Sequence, residues 1–256
     1  MKTGLMRRLA GYLSSYSEDY SVVSDKRRIT LVRNKGNGEI AVLYNGFTYS
    51  RLPERGLFTR SYWDYFLPFG AMSESPRLLM IGLGGGTVAR QMEGTFGNAS
   101  MDIVEIDRDM ADIARRLYPS MRSNVIIGDG LRFVKTVRGS YDAIILDAYS
   151  DLDIPRAFMA DEFIGDAYNA LKERGILGIN YAQSSLKKEE LHDFSERLGR
   201  LFGVYRMRVG FMSDNTILLC GKRMARDEIV ALARAMPKAS GSKHILDGYR
   251  GMDAFK

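Results

Sequence analysis

From residue 77 onward, short apolar runs alternate with stretches whose apolar residues recur every three or four positions. Leu78–Ile81, Ile103–Ile106, Val125–Ile127, Ala143–Leu146 and Ile176–Ile179 read as five strands. Asp109–Leu117 and Phe158–Leu171 read as helices, with Gly175 a stop signal just beyond the second. Leu191, Phe194, Leu198 and Leu201 mark one face of a third helix. Tyr205–Val209 and Thr216–Leu219 flank Ser213-Asp214-Asn215 and predict a closing antiparallel hairpin. Apolar strands separated by helices imply an α/β fold whose mostly parallel sheet is covered on both faces.

The pattern before Ser73–Pro76 is different. Tyr20–Val23, Ile29–Val32 and Ile40–Tyr44 are β-like, and Asn37-Gly38 and Asn45-Gly46 are turn dipeptides, which predicts a small antiparallel unit. Phe58, Tyr62, Tyr65/Phe66 and Phe69 then fall at helical spacing and predict a helix that packs onto the main domain. The chain therefore divides into an N-terminal β unit with its connecting helix (1–72), a main α/β domain (73–236) and a polar, mobile tail (237–256).

Composition narrows the chemistry. One cysteine, Cys220, excludes a disulfide framework or a cysteine-cluster zinc site and reads as a small buried hydrophobe. Of the two histidines, His192 reads as a surface residue and His244 as solvated in the tail, so no metal centre is expected. Trp63 reads as core or subunit contact. No apolar run approaches the roughly 20 residues that span a bilayer. The first twenty residues lack a secretory apolar core, so the expected setting is cytoplasmic. The net charge of +6 lies entirely in residues 1–60, with 11 Lys+Arg against 5 Asp+Glu; the remaining 196 residues carry 26 of each. A nucleic-acid partner is thereby left open, with a solvated basic surface as the simpler reading.

The chemistry collects at strand ends. Leu78–Ile81 runs into Gly82-Leu83-Gly84-Gly85-Gly86-Thr87, a turn that brings backbone close to a ligand before a helix opens. The spacing is G-x-G-x-G, with Thr87 where a dinucleotide fingerprint has its last glycine, which argues against a nicotinamide enzyme. Glu105 ends the second strand, where an acid can accept hydrogen bonds from both ribose hydroxyls; Asp107 is the better candidate for a helix cap. Gly128-Asp129-Gly130 follows the third strand. Asp129 either caps the next helix or meets an exocyclic adenine amine, with Gly130 beside it. After the fourth strand, Asp147 is a candidate base for an attacking amine and Tyr149 a candidate to stack on or gate a substrate. Asp151 and Asp153 read as loop acids rather than a cation site.

These motifs (IGLGGGTVAR, VEID, GDG and YDAIILDAYSDLDIPRAFMADEFIGDAYNALKERGILGIN) resemble those of the spermidine synthase family of polyamine aminopropyltransferases, over roughly residues 20–220. The resemblance is to its divergent, spermidine-synthase-like branch. It implies a Rossmann-like S-adenosylmethionine-dependent transferase fold with a seven-stranded sheet and a small N-terminal β unit, often a homodimer or homotetramer. It also implies decarboxylated S-adenosylmethionine as donor and a small-molecule amine as acceptor. By motif, Gly82, Gly84 and Gly86 would line the donor, Glu105 would hold the ribose, Asp129 the adenine, and Asp147 would be catalytic.

Four departures concern the donor's aminopropyl end and the acceptor. The glycine loop lacks the family's aspartate, and Ser150 stands at the second acidic place of the Asp-x-x-Asp loop. The family's Tyr-His pair is expected at Arg60-Ser61, where it is absent, and a glutamine near Tyr49 is missing. Methyl transfer from intact S-adenosylmethionine and non-catalytic nucleoside binding therefore stay open as alternatives.

Overall fold

The computed structural model describes residues 16–24, 27–149, 154–209, 213–238 and 241–255. The N-terminal unit is a four-stranded antiparallel sheet of β1 (Tyr16–Ser24), β2 (Arg27–Asn34), β3 (Ile40–Tyr44) and β4 (Phe47–Leu52), paired in chain order. Asn45 and Gly46, with φ of 49° and 85°, make the two-residue turn between β3 and β4 that their sequence predicts.

The main sheet has eight strands: β5 (Arg77–Ile81), β6 (Ser100–Glu105), β7 (Asn124–Ile127), β8 (Tyr141–Leu146), β9 (Leu171–Ala182), β10 (Gly203–Arg208), β11 (Asn215–Gly221) and β12 (Asp253–Ala254). Their order is β12-β10-β11-β9-β8-β5-β6-β7. The block from β9 to β7 is parallel, and β11, β10 and β12 continue it antiparallel. The helices are α1 (Thr87–Thr95), α2 (Arg108–Leu117), α3 (Gly130–Lys135), α4 (Asp161–Ala170), α5 (Lys188–Gly199), α6 (Arg226–Ala235) and α7 (Lys243–Arg250).

Alternation along the strands splits the core between the two faces of the sheet. Leu78, Met80, Ala143 and Ile145 face one layer, and Leu79, Ile81, Ile144 and Leu146 the other. A smaller cluster of Ile29, Val42, Tyr44, Met110 and Ile113 seats the N-terminal sheet on α2.

Three expectations change. The sheet has eight strands rather than seven because the tail supplies β12. The tail, read as polar and mobile, folds into α7 and β12 with Ile245, Tyr249 and Met252 buried; these three were too sparse among polar neighbours to stand out. The aromatic helix expected from Phe58 is a 3-10 helix, Tyr62–Ala71. Pro68 lies inside it and supplies no N–H, and all its residues from Tyr62 to Gly70 are buried, so packing selects a tighter turn than an α-helix.

Candidate active site

The site follows from strand register. Ile81 pairs with Leu146 on one side and Val104 on the other, and Glu105 pairs with Ile127. Asp147, Gly82, Glu105 and Gly128-Asp129 therefore leave neighbouring strands at one edge of the sheet. That edge holds the switch point, where β5, β6 and β7 run outward in one direction and β8 and β9 in the other. A cavity of about 620 Å³ opens there, lined by Gly82, Gly84, Glu105, Asp129, Gly130, Asp147 and Tyr149 among others. Tyr44 and Tyr49, from the N-terminal sheet, form part of its wall, their ring centroids 4.8 Å apart.

Two glycines let the walls close. Gly82 has φ 91°, and a Cβ there would lie 2.3 Å from the Asp147 carbonyl oxygen. Gly84 has φ 53°, and its Cβ would meet the Tyr49 carbonyl oxygen at 2.7 Å. Gly86 caps the N-terminus of α1 with φ 87°, beside the cavity lining rather than in it. Its glycine serves the turn into the helix.

Glu105 is buried. Its Oε2 accepts the Leu83 N–H and its Oε1 the Asp107 N–H, both at 2.8 Å. Burial pushes its carboxyl above the usual range, against the pull of those N–H groups. Each carboxylate oxygen has two acceptor positions, so the arrangement leaves capacity for two ribose hydroxyls. Asp107 caps α2 by accepting from Asp109 N and Met110 N. Asp129 caps α3 through Oδ1, which accepts from Leu131 N at 2.8 Å. Its Oδ2 faces the exposed Arg132 at 4.0 Å and retains room for another donor, so capping and ligand contact are compatible.

Asp147 sits where β8 ends beside the glycine turn. The Asn180 side-chain amide donates to its Oδ1 at 2.8 Å, and the Tyr62 phenol is directed at the same carboxylate. Enclosure by protein pushes its carboxyl up to about 6, and these two neighbours hold it from rising further. Asn180 Oδ1 in turn accepts from Asn215 Nδ2 at 3.0 Å. The Tyr149 hydroxyl is buried without a hydrogen-bond partner of ordinary geometry, and burial raises its ionisation well above the usual tyrosine value. Asp151 and Asp153 lie outside the described residues. No cluster of three potential metal ligands occurs among the described residues.

Tyr62, Asn180 and Asn215 were not among the site residues read from the sequence. Asn180 did carry a signal, as a polar side chain inside the apolar run Ile176–Tyr181 of a buried strand. Tyr62 was read as core packing, and the aromatic pair near this loop was sought at Arg60-Ser61. It is Tyr62 that stands beside Asp147, its ring 4.3 Å from that of Trp63.

Residues 66–212 match the spermine/spermidine synthase domain. The chain belongs to the spermine/spermidine synthase family. It is similar to the polyamine aminopropyltransferase of Agathobacter rectalis, 27% identical over 179 residues that make up 67% of this chain and 62% of that enzyme. It thus spans less than two thirds of that relative's length. In fold it resembles a probable spermidine synthase from Corynebacterium glutamicum, with a TM-score of 0.71, 16% identity and coverage of 90% of this chain and 94% of that one. Human methyltransferase-like protein 13 in complex with SAH aligns with a TM-score of 0.57 and 26% identity, covering 75% of this chain and 90% of that one. Among the described residues, no helix is long and apolar enough to cross a membrane.

Proposed function

We propose that the protein transfers the aminopropyl group of decarboxylated S-adenosylmethionine to an amine acceptor. The carrying observation is Asp147: a carboxylate enclosed by protein, raised to about 6, open to the cavity and placed at the switch point next to the glycine turn. Glu105 takes the ribose hydroxyls and Asp129 the adenine amine, which directs the sulfonium end of the donor toward Asp147. The acceptor nitrogen attacks the methylene carbon next to sulfur. As the C–N bond forms, the C–S bond breaks and its electron pair returns to sulfur, leaving a neutral thioether, methylthioadenosine. The nitrogen, now positively charged, gives a proton to Asp147. A carboxyl near 6 is mostly ionised at neutral pH yet basic enough to accept that proton and pass it to water. Tyr149 borders the path of the acceptor.

Binding calorimetry tests this directly. Decarboxylated S-adenosylmethionine and methylthioadenosine should bind more tightly than their carboxylated counterparts, and an amine screen should find amine-dependent release of methylthioadenosine. Preference for S-adenosylmethionine and S-adenosylhomocysteine would sink the proposal. It would favour methyl transfer, a second reading supported by a glycine turn without an acidic side chain. The family reading brings with it a homodimer or homotetramer, open to light scattering, and a cytoplasmic setting. Nucleic acid is left out of it.

A further inference from the structure

Asp64 lies in the 3-10 helix two residues beyond Tyr62 and is fully buried. A buried carboxylate persists only when its oxygens are satisfied. Five donors do this here. Thr59 N at 2.9 Å, Thr59 Oγ1 at 2.7 Å and Gln91 Nε2 at 2.6 Å reach Oδ1; Arg60 N at 2.7 Å and His244 Nε2 at 2.9 Å reach Oδ2. The carboxylate thus gathers three separate parts of the chain: the strap before the 3-10 helix, helix α1 that leaves the glycine turn, and helix α7 near the C-terminus.

The strap is under strain. Arg60 has φ 55°, in the left-handed region that a residue with a side chain adopts at a cost, and its N–H is the one that Asp64 Oδ2 holds. Arg60-Ser61 leads directly into Tyr62. His244 shares that same oxygen. Its other ring nitrogen, Nδ1, lies 2.7 Å from the Gly241 carbonyl oxygen, and its ring stands edge-on to Phe58 and Tyr65, with centroids 6.2 and 5.7 Å away. The histidine read from sequence as solvated is therefore a fixed part of this cluster.

We propose that His244 is a positioning residue for the acceptor side of the site: through Asp64 it holds the Arg60 turn, and so the placement of Tyr62 against Asp147. The inference rests on Asp147 acting as the base. Removing the imidazole leaves four of the five donors to Asp64 in place, so the fold should survive while Oδ2 loses half its hold. The expected damage is local, at residues 60–62.

The test places 3-fluorotyrosine at position 62 of the full chain and compares wild type with His244→Ala and His244→Gln by fluorine NMR. Melting temperature and methylthioadenosine binding are followed alongside. His244→Ala should shift or broaden the fluorine resonance and lower amine-dependent turnover about tenfold at saturating donor, leaving nucleoside affinity unchanged. His244→Gln, whose amide can donate to Asp64, should restore part of both. A fluorine resonance unmoved in both variants overturns the proposal and leaves His244 as a staple of the C-terminal helix, visible only as a lower melting temperature. Should His244→Ala fail to fold, His244→Met, which fills the space without a donor, takes its place and should move the fluorine resonance in the same way. A resonance that responds in a protein for which no amine supports turnover would sustain the coupling and defeat the proposed reaction instead.

Discussion

Asn180 and Asp147, on adjacent parallel strands, meet side chain to side chain at 2.8 Å, the amide donating to the carboxylate. The same amide group accepts from Asn215 on the strand beyond, so one carboxylate is held by a polar row crossing three strands. The Asn180 hydrogen bond favours the ionised form of Asp147. Replacing Asn180 with Leu removes that support, and the Asp147 carboxyl should rise above about 6. The acid limb of the kcat/KM profile for amine-dependent turnover should then move to higher pH. A limb that stays in place would dissociate Asn180 from the base.

Asp147 itself should trade stability for chemistry. Its folded-state value near 6 lies above the ordinary 3.8, so the folded protein binds the proton more tightly than the unfolded chain. Stability therefore falls as pH rises from about 4 to about 6, and the full cost of the charge is present above that window. Asp147→Asn should raise the melting temperature at pH 7, by the equivalent of about 3 kcal/mol, and reduce turnover by orders of magnitude with nucleoside binding kept. Thermal melts of the two proteins at pH 4 and pH 7 check the sign: the gap should shrink at the lower pH.

Glu105→Ala should weaken methylthioadenosine binding by about 1–3 kcal/mol, because the ribose hydroxyls lose a buried acceptor. It also strands the N–H groups of Leu83 and Asp107, so some loss of stability should accompany it. Calorimetry on folded variant protein separates the two effects; unchanged affinity would remove Glu105 from the ligand site.

Gly82→Ala should destabilise the protein by about 1–3 kcal/mol, since the new methyl collides with the Asp147 carbonyl and a positive φ is imposed on alanine. The collision displaces the backbone of the base, so turnover should fall more than nucleoside affinity does. Denaturant melts and initial rates measure both.

The strands and the acids at the strand ends were legible in the sequence because each depends on local pattern. An apolar run followed by glycines, or by a lone acid, announces its own place at a sheet edge. Glu105 and Asp147 were placed at that edge this way. The supporting residues were less visible because their partners lie far along the chain. Asn180 comes 33 residues after Asp147, and His244 comes 180 after Asp64. Nothing local distinguishes a histidine in a polar tail from one that completes a buried carboxylate. Gly86 has a backbone duty of its own, the positive φ that opens α1.

The side-by-side order β8-β5-β6-β7 makes the sheet edge a ruler. Neighbouring strands lie about 4.8 Å apart, so the interval from Asp147 to Asp129 is three steps, about 14 Å. A molecule that touches both ends must be elongated and laid crosswise to the strands, with Glu105 one step from the Asp129 end and two from the Asp147 end. Molecules too short to cover the interval can engage one end only. The spacing of those ends is set by the backbone, because it follows from the strand order.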